Sequence, residues 1–406
     1  PWLLTVKKLE EVEKMELAKA REDILDMSMR LLSAGLIVRT WGNLSCRVDR
    51  GHFVITPSGK DYRSLRPEDL VIVNLTDGRS WGDGLPSSEV EMHRALYCSN
   101  PKANFIIHTH QTDASVLGAF DADIPGLKIG NVKLNGMPCA AYGLPGSDAL
   151  KDHVVAVLHD DLHAAALMAH HGAVCLGGNS ADAFRAAVGL EMLCSHHIRM
   201  AYESFMQRAM TMEDNIYQDV LTCFYRESMP ERVRQLCTSE RKADGTPVMY
   251  YPDGSEMELD HPVISEEQRT HLLIYEKRPD IHAIRQSFSP ATLACSVLRE
   301  PLAAYLDDFA QINGEKMEWS AFYADGIAAA LGENHGVLVE KCGALCCGKT
   351  MEDAAALADI TEKNARTRLL SEFFTANDPE RKLHALEKED CSIMRTFYLE
   401  KYAKRF

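Results

Sequence analysis

The chain has 406 residues, 46% hydrophobic and 25% charged, which excludes disordered and collagen-like classes and sets a soft expectation of two domains. Forty-four Lys and Arg against 59 Asp and Glu leave a net charge of -15, which repels polyanions, so neither nucleic acid nor an anionic membrane surface is expected as a partner. A small phosphorylated substrate remains compatible with that charge. Twelve scattered Cys without regular spacing indicate a reducing compartment, as in a cytoplasmic protein. The apolar opening at Trp2, Leu3 and Leu4 turns charged too soon for a signal peptide, and no run nears the ~18 apolar residues of a membrane span.

In chain order, helical spacing of Leu17, Leu25, Met29 and Leu32 predicts an opening helix over about 9–35, ended by Gly35. Residues 46–59 read as a hairpin around Asp49, Arg50 and Gly51, and Val71 to Leu75 as a further strand. Ser87 or Ser88 is expected to cap a helix through Val90 to Tyr97, and the apolar run 104–107 leads as a buried strand into His108. Residues 164–168 and 173–176 read as paired strands before a long helix over about 181–207. This alternation predicts a layered α/β domain over 1–210. The charge-rich, turn-rich stretch 211–260 reads as a helical connector, and 261–406 as a second domain.

That second domain repeats the first. His93 to Tyr97, with Pro101 four residues on, match His271 to Tyr275 and Pro279, and Gly172 to Gly177 match Gly343 to Gly348. A period this long indicates a duplicated domain rather than a solenoid.

His108 and His110 flank Thr109 at the end of a predicted strand, and strand alternation sends both imidazoles to one side, a geometry suited to one metal ion. His170 and His171 add a second pair at a turn; neighbours face opposite ways, so one of the two is expected at the metal. Glu89 supplies a carboxylate at a helix start, where free N–H groups also attract anions. Three imidazoles and a movable carboxylate complete a zinc shell that keeps a position for substrate.

Taken together, Gly42-Asn43, Thr56 to Gly59, Pro86 to Glu89, His108 to His110 and His170 to Gly172, in this order, resemble the class II aldolase and adducin family over residues 10–210. The resemblance implies a layered α/β/α domain around a mainly antiparallel sheet, present twice. It implies His108, His110 and His171 as ligands of zinc or another divalent transition metal, and Glu89 as the catalytic acid/base. It implies Asn43, Ser58, Gly59, Ser87 and Ser88 as the site of a substrate phosphate. The expected activity is reversible cleavage of a ketose 1-phosphate through an enediolate of dihydroxyacetone phosphate, giving an aldehyde. Because Glu89 stands where epimerases of this family carry aspartate, a sugar-phosphate 4-epimerase ranks second, and an adducin-like scaffold third. The acid for the leaving alkoxide is unassigned, with Tyr142 and Lys128 as weak candidates.

In the second copy Glu267 falls at the position of Glu89, but Gln286 and Phe288 stand at the paired-histidine positions and Cys342 replaces His171, so a degenerate domain without metal ligands is expected. Cys342, Cys346 and Cys347 read as buried strand thiols. Family members form four-fold rings, so the resemblance also implies a homo-oligomer, with a dimer of two-domain chains standing in for four single domains.

Overall fold

The computed structural model describes residues 2–37, 40–129, 132–159, 163–209, 237–251, 253–259, 265–377 and 382–402. It divides into two compact units, Pro1–Met200 and Ala201–Phe406. Among the described residues no helix is long and apolar enough to cross a membrane.

In the first unit the strands are β1 (Asn43–Arg47), β2 (His52–Ile55), β3 (Val71–Asn74), β4 (Ser80–Trp81), β5 (Phe105–Thr109), β6 (Leu127–Ile129), β7 (Val132–Leu134), β8 (Cys139–Ala140), β9 (Ala165–Met168) and β10 (Gly172–Gly177). The helices are α1 (Trp2–Ser33), α2 (Val90–Ser99), α3 (Thr112–Gly118), α4 (Asp148–Leu158) and α5 (Ser180–Ala209). Eight strands form one sheet in the order β4-β3-β2-β1-β5-β10-β9-β8, while β6 and β7 pair separately. Neighbours in the sheet run antiparallel except β8 with β9.

The sheet forms because its central strands are apolar on both faces. On one face Phe53, Val73, Ile106, Val174 and Met168 pack against Met92, Leu96 and Tyr97 of α2 and Leu150, Val154 and Leu158 of α4. Alternation then places His108 on this same face, two residues beyond Ile106. Helix α1 ends as Gly35 predicts: Gly35 has φ +69°, Leu36 N–H donates to Leu31 O (3.0 Å) and Gly35 N–H to Leu32 O (3.1 Å), which satisfies two last-turn carbonyls. The cap of α2 differs from expectation, because Glu89 rather than a serine is the N-cap residue. Ser87 Oγ instead accepts the N–H of Glu89, the cap residue itself, at 3.3 Å.

The second unit repeats this plan with β11 (Thr238–Arg241), β12 (Pro247–Tyr250), β13 (Glu256–Glu258), β14 (Ala283–Ser287), β15 (Leu302–Ala303), β16 (Lys316–Ser320), β17 (Gly336–Val339) and β18 (Gly343–Gly348). Its helices are α6 (Glu266–Lys277), α7 (Pro290–Val297), α8 (Asp307–Asn313), α9 (Ala324–Leu331), α10 (Met351–Asn377) and α11 (Lys388–Phe397). The order β13-β12-β11-β14-β18-β17-β16-β15 matches β3-β2-β1-β5-β10-β9-β8 strand for strand, with β15 added at the edge. The helical connector expected over 211–260 is corrected here: residues 238–258 carry the first three strands of the second sheet, and residues 210–236 lie outside the described ones. The turn signals at Asp244-Gly245 and Asp253-Gly254 are hairpin turns joining these strands, with each Asp Oδ1 accepting an N–H two residues on.

Both units share one buried polar lock. Ser45 Oγ bonds His93 Nδ1 (2.6 Å) and Tyr97 OH (2.8 Å); Ser239 Oγ bonds His271 Nδ1 (2.7 Å) and Tyr275 OH (2.8 Å). Arg47 lies 4.7 Å over the Tyr97 ring and Arg241 4.6 Å over Tyr275, each donating to that tyrosine's carbonyl. Strand β1 or β11 is thereby tied to its helix α2 or α6 through groups that would be costly to bury unpaired.

Candidate metal centre

The site lies where β1 starts, β5 ends and β10 starts. Strand β5 delivers His108 and, just past its end, His110 on the same side. The hairpin from β9 to β10 turns at His170, whose φ of +60° is left-handed, and the chain then passes His171 to Gly172. A Cβ on Gly172 would stand 2.3 Å from Thr109 O, so only glycine lets β10 begin this close to β5. Gly42, at φ +91°, does the same on the other flank, where a Cβ would meet His108 O at 2.5 Å. These two close approaches bring His171 and Asn43 to either side of His108.

Convergence is tight. His108 Nε2 lies 3.1 Å from His110 Nε2 and 3.2 Å from His171 Nε2, with all three ligand atoms within 4.8 Å of one another. Glu89 Oε2 lies 3.1 Å from His108 Nε2 and Glu89 Oε1 3.1 Å from His171 Nε2. The Asn43 Nδ2 amide donates to Glu89 Oε2 at 2.8 Å. His108, His171, Glu89 and Asn43 are buried and His110 is half-buried. Of the adjacent pair, His171 enters the cluster, while the His170 ring packs edge-on against Tyr142 at 5.6 Å.

The residues fit a metal ion. His108 Nδ1 donates to Ala173 O at 2.9 Å, so its Nε2 carries a lone pair directed into the cluster. Burial pushes the His108 pKa down to about 3, despite the pull of Glu89, so this ring is neutral at pH 7. Burial would raise the Glu89 carboxyl, but the hydrogen bonds from His171 and the Asn43 amide oppose it and favour the carboxylate. A lone pair facing two imidazole nitrogens and a carboxylate oxygen near 3 Å is an arrangement that a bound cation would satisfy. Three imidazole nitrogens with a carboxylate are the donor set that divalent transition metals prefer.

The expected phosphate residues fall in three places. The loop at Ser58 and Gly59 is pinned to the loop at Ser87: Pro57 bridges Pro86, Ser58 N–H donates to Leu85 O (2.9 Å) and Ser87 N–H to Thr56 O (3.2 Å). Ser88 is exposed and, with Glu89, Gly146, Ser147 and Lys151, lines a cleft of about 270 Å³. Asn43 is apart from both, directed at Glu89. The Lys128 side chain lies outside the described residues, and Tyr142 packs on His170.

Strand register identifies the equivalent positions in the second unit. His108 pairs with Val174 as Gln286 pairs with Leu345, and Ser45 with Ile106 as Ser239 with Ile284. Gln286, Phe288 and Cys342 therefore stand at the positions of His108, His110 and His171, and Cys237 at that of Asn43. Gln286 Nε2 donates to Cys342 O at 2.6 Å, and Glu267 accepts the backbone N–H of Cys237. Cys342, Cys346 and Cys347 are buried, and burial pushes the Cys346 thiol up to about 12, away from thiolate chemistry.

Three contributors escaped sequence reasoning. The Ala173 carbonyl is a backbone group and carries no residue signature. Glu191 of α5 accepts the N–H groups of Asp113 (2.8 Å) and Ala114 (3.0 Å), fixing the helix that follows His110. The bond from Asn43 to Glu89 spans 46 residues, beyond any local pattern.

The sequence matches the family model of the class II aldolase and adducin N-terminal domain over residues 22–198 and again over 234–369. It is 31% identical to the L-fuculose phosphate aldolase of Haemophilus influenzae over 46% of this chain and 85% of that protein. It is 32% identical to the 5-deoxy-D-ribulose 1-phosphate aldolase of Bacillus thuringiensis over 44% of this chain and 83% of that one. Among solved structures, the L-fuculose-1-phosphate aldolase of Thermus thermophilus aligns at 28% identity and a TM-score of 0.41, over 48% of this chain and 97% of its own.

Proposed function

Since the chain belongs to the class II aldolase and adducin family, we propose that its first unit is a metal-dependent aldolase cleaving and forming a ketose 1-phosphate. The observation that carries this reading is the convergence of His108, His110 and His171 on one point, with Glu89 against two of them. The named relatives act on fuculose and deoxyribulose phosphates, which supports a sugar phosphate as substrate.

A divalent ion, zinc in the first instance, held by the three imidazoles would supply electrostatic stabilisation of the negative charge that develops at the substrate carbonyl oxygen. The protein does the rest. In cleavage the hydroxyl on the departing carbon gives its proton to water as that carbon becomes the aldehyde, the carbon-carbon bond breaks, and Glu89 delivers a proton to the carbon beside the carbonyl to leave dihydroxyacetone phosphate; in synthesis Glu89 removes that proton. Asn43 and His171 hold its carboxylate beside the imidazole cluster, which supports this role. Ser58, Gly59, Ser87 and Ser88, on two loops joined at Pro57 and Pro86, offer hydroxyl and backbone N–H groups to the phosphate. The second unit, with Gln286, Phe288 and Cys342 at the ligand positions, serves structure or assembly.

A coupled assay for dihydroxyacetone phosphate, run over a panel of ketose 1-phosphates, tests the reading. Turnover of at least one ketose, abolished by Glu89→Gln, is the expected result. Metal-loaded protein inert on every ketose but active on a pentulose 5-phosphate would replace it with the epimerase, and no turnover of either with the scaffold.

A further inference from the structure

Strand pairing fixes His108, but His110 lies one residue past the end of β5. Its two neighbours are bonded to each other and to α5. The Thr109 hydroxyl donates to Gln111 Oε1 at 3.0 Å, and Gln111 Nε2 donates to the Ala187 carbonyl of α5 at 3.2 Å, so a chain of bonds runs past His110 into the helix. Both side chains are buried.

Helix capping does not account for this glutamine. Gln111 is the N-cap residue of α3, yet its side chain makes no cap bond, and the N–H groups of Asp113 and Ala114 go to Glu191. The second unit separates the two tasks. Glu362 repeats the bonds of Glu191, and an alanine stands four residues before each, Ala187 and Ala358. Ser287 and Ser289, however, stand at the positions of Thr109 and Gln111: the Ser287 Oγ is buried without a hydrogen-bond partner among the described residues, and Ser289 makes no side-chain cap bond. The helix anchor is kept where the chain of bonds is lost, and the residue between the two serines is Phe288 in place of a histidine.

We propose, on the metal reading of the first unit and irrespective of its substrate, that Gln111 is a positioning residue of the metal centre. Braced by Thr109 and anchored on the Ala187 carbonyl, it fixes the backbone on either side of His110 and so aims that imidazole at His108 and His171. Of the three imidazoles, His110 is the half-buried one, which burial confines least.

The test measures zinc affinity of the full-length protein, by competition with a chromophoric chelator, for wild type, Gln111→Met, Thr109→Val, the double variant and Ser289→Ala. Methionine and valine keep the shape and remove the bonds. Gln111→Met is expected to lower zinc affinity about 10–100-fold, the usual cost of losing a group that supports a metal ligand, and Thr109→Val at least about threefold. In the double variant the loss should stay near that of Gln111→Met instead of multiplying, because one chain of bonds is cut twice, and Ser289→Ala should remain within about twofold of wild type. Cobalt-loaded Gln111→Met should also show shifted visible absorption bands, which a loss of stability alone does not produce. Wild-type zinc affinity with unshifted cobalt bands in Gln111→Met overturns the proposal, as does a double-variant loss equal to the product of the single ones or a comparable loss in Ser289→Ala. Should Gln111→Met fail to fold, Thr109→Val decides: a loss of about threefold or more supports the role, and wild-type affinity overturns it. Wild-type protein that takes up no zinc removes the metal reading and this role with it, whereas zinc uptake with unchanged variants removes this role alone.

Discussion

His108 Nδ1 lies 2.9 Å from the carbonyl oxygen of Ala173, a residue on the strand that begins directly after His171. One backbone bond thus couples two of the three imidazoles: it fixes the tautomer of His108 and sets the spacing of β5 and β10 at the point where His171 enters. Ligand geometry in this unit is a property of strand pairing.

The close strand contact should tolerate no side chain at residue 172. In Gly172→Ala the new Cβ would be 2.3 Å from Thr109 O, so the strands must part. We expect a loss of ~2–4 kcal/mol in urea unfolding, typical of a forced backbone shift, together with weaker metal retention. Gly343→Ala, at φ +85° with Ser287 O 2.0 Å from the new Cβ, should cost as much stability while leaving metal content unchanged. Equal metal loss in both variants would contradict this assignment.

Paired carboxylates at equivalent helix starts should separate in the same way. Glu191 accepts the Asp113 and Ala114 N–H groups, and Glu362 those of Ala291 (2.9 Å) and Thr292 (2.8 Å). Replacing either with Ala should cost ~1–2 kcal/mol of stability through the lost charge-assisted cap. Only Glu191→Ala, which loosens the helix after His110, should lower kcat. Thermal melts and steady-state kinetics of the two variants read both effects.

Much of the site was legible in the sequence because it depends on local rules. Strand alternation put His108 and His110 on one side, and facing of neighbours allowed one of His170 and His171; the left-handed φ at His170 decides between them, which residue type does not reveal. The duplication was visible in the match of His93 and Tyr97 with His271 and Tyr275. The strands at 238–258 were missed because they are short and polar: Thr238 to Arg241 alternates around a single buried Ser239, and Glu256 to Glu258 is exposed throughout. Ser239 looks like a surface residue until paired with His271, a partner 32 residues away.

The two glutamates give a sharper comparison. Glu89→Gln should lower kcat by at least ~100-fold, the usual contribution of a general acid or base. Glu267→Gln should leave kcat within about twofold, because its carboxylate serves the Cys237 backbone. A similar loss in both variants would mean that the second unit takes part in turnover.

Acid should weaken the fold through its buried histidines. Burial pushes His271 down to about 3, and pushes His93 down to about 4 despite the opposite pull of Glu89, against 6.5 for the free side chain. Below about pH 6.5 the unfolded chain binds protons that the native fold refuses, so stability is complete above that pH and falls as the pH drops toward 4. Each residue should remove on the order of 2–3 kcal/mol by pH 4.5. Urea midpoints at pH 7.5, 5.5 and 4.5 measure this, with His271→Asn showing a shallower decline. A midpoint independent of pH in this range would contradict the assignment.

The most direct test is metal analysis of the full-length protein by mass spectrometry, beside the triple variant His108→Ala, His110→Ala, His171→Ala. The account predicts close to one divalent ion per wild-type chain and none retained by the folded variant. Wild-type protein that takes up no ion when supplied with zinc, or a variant that keeps its ion, would contradict it.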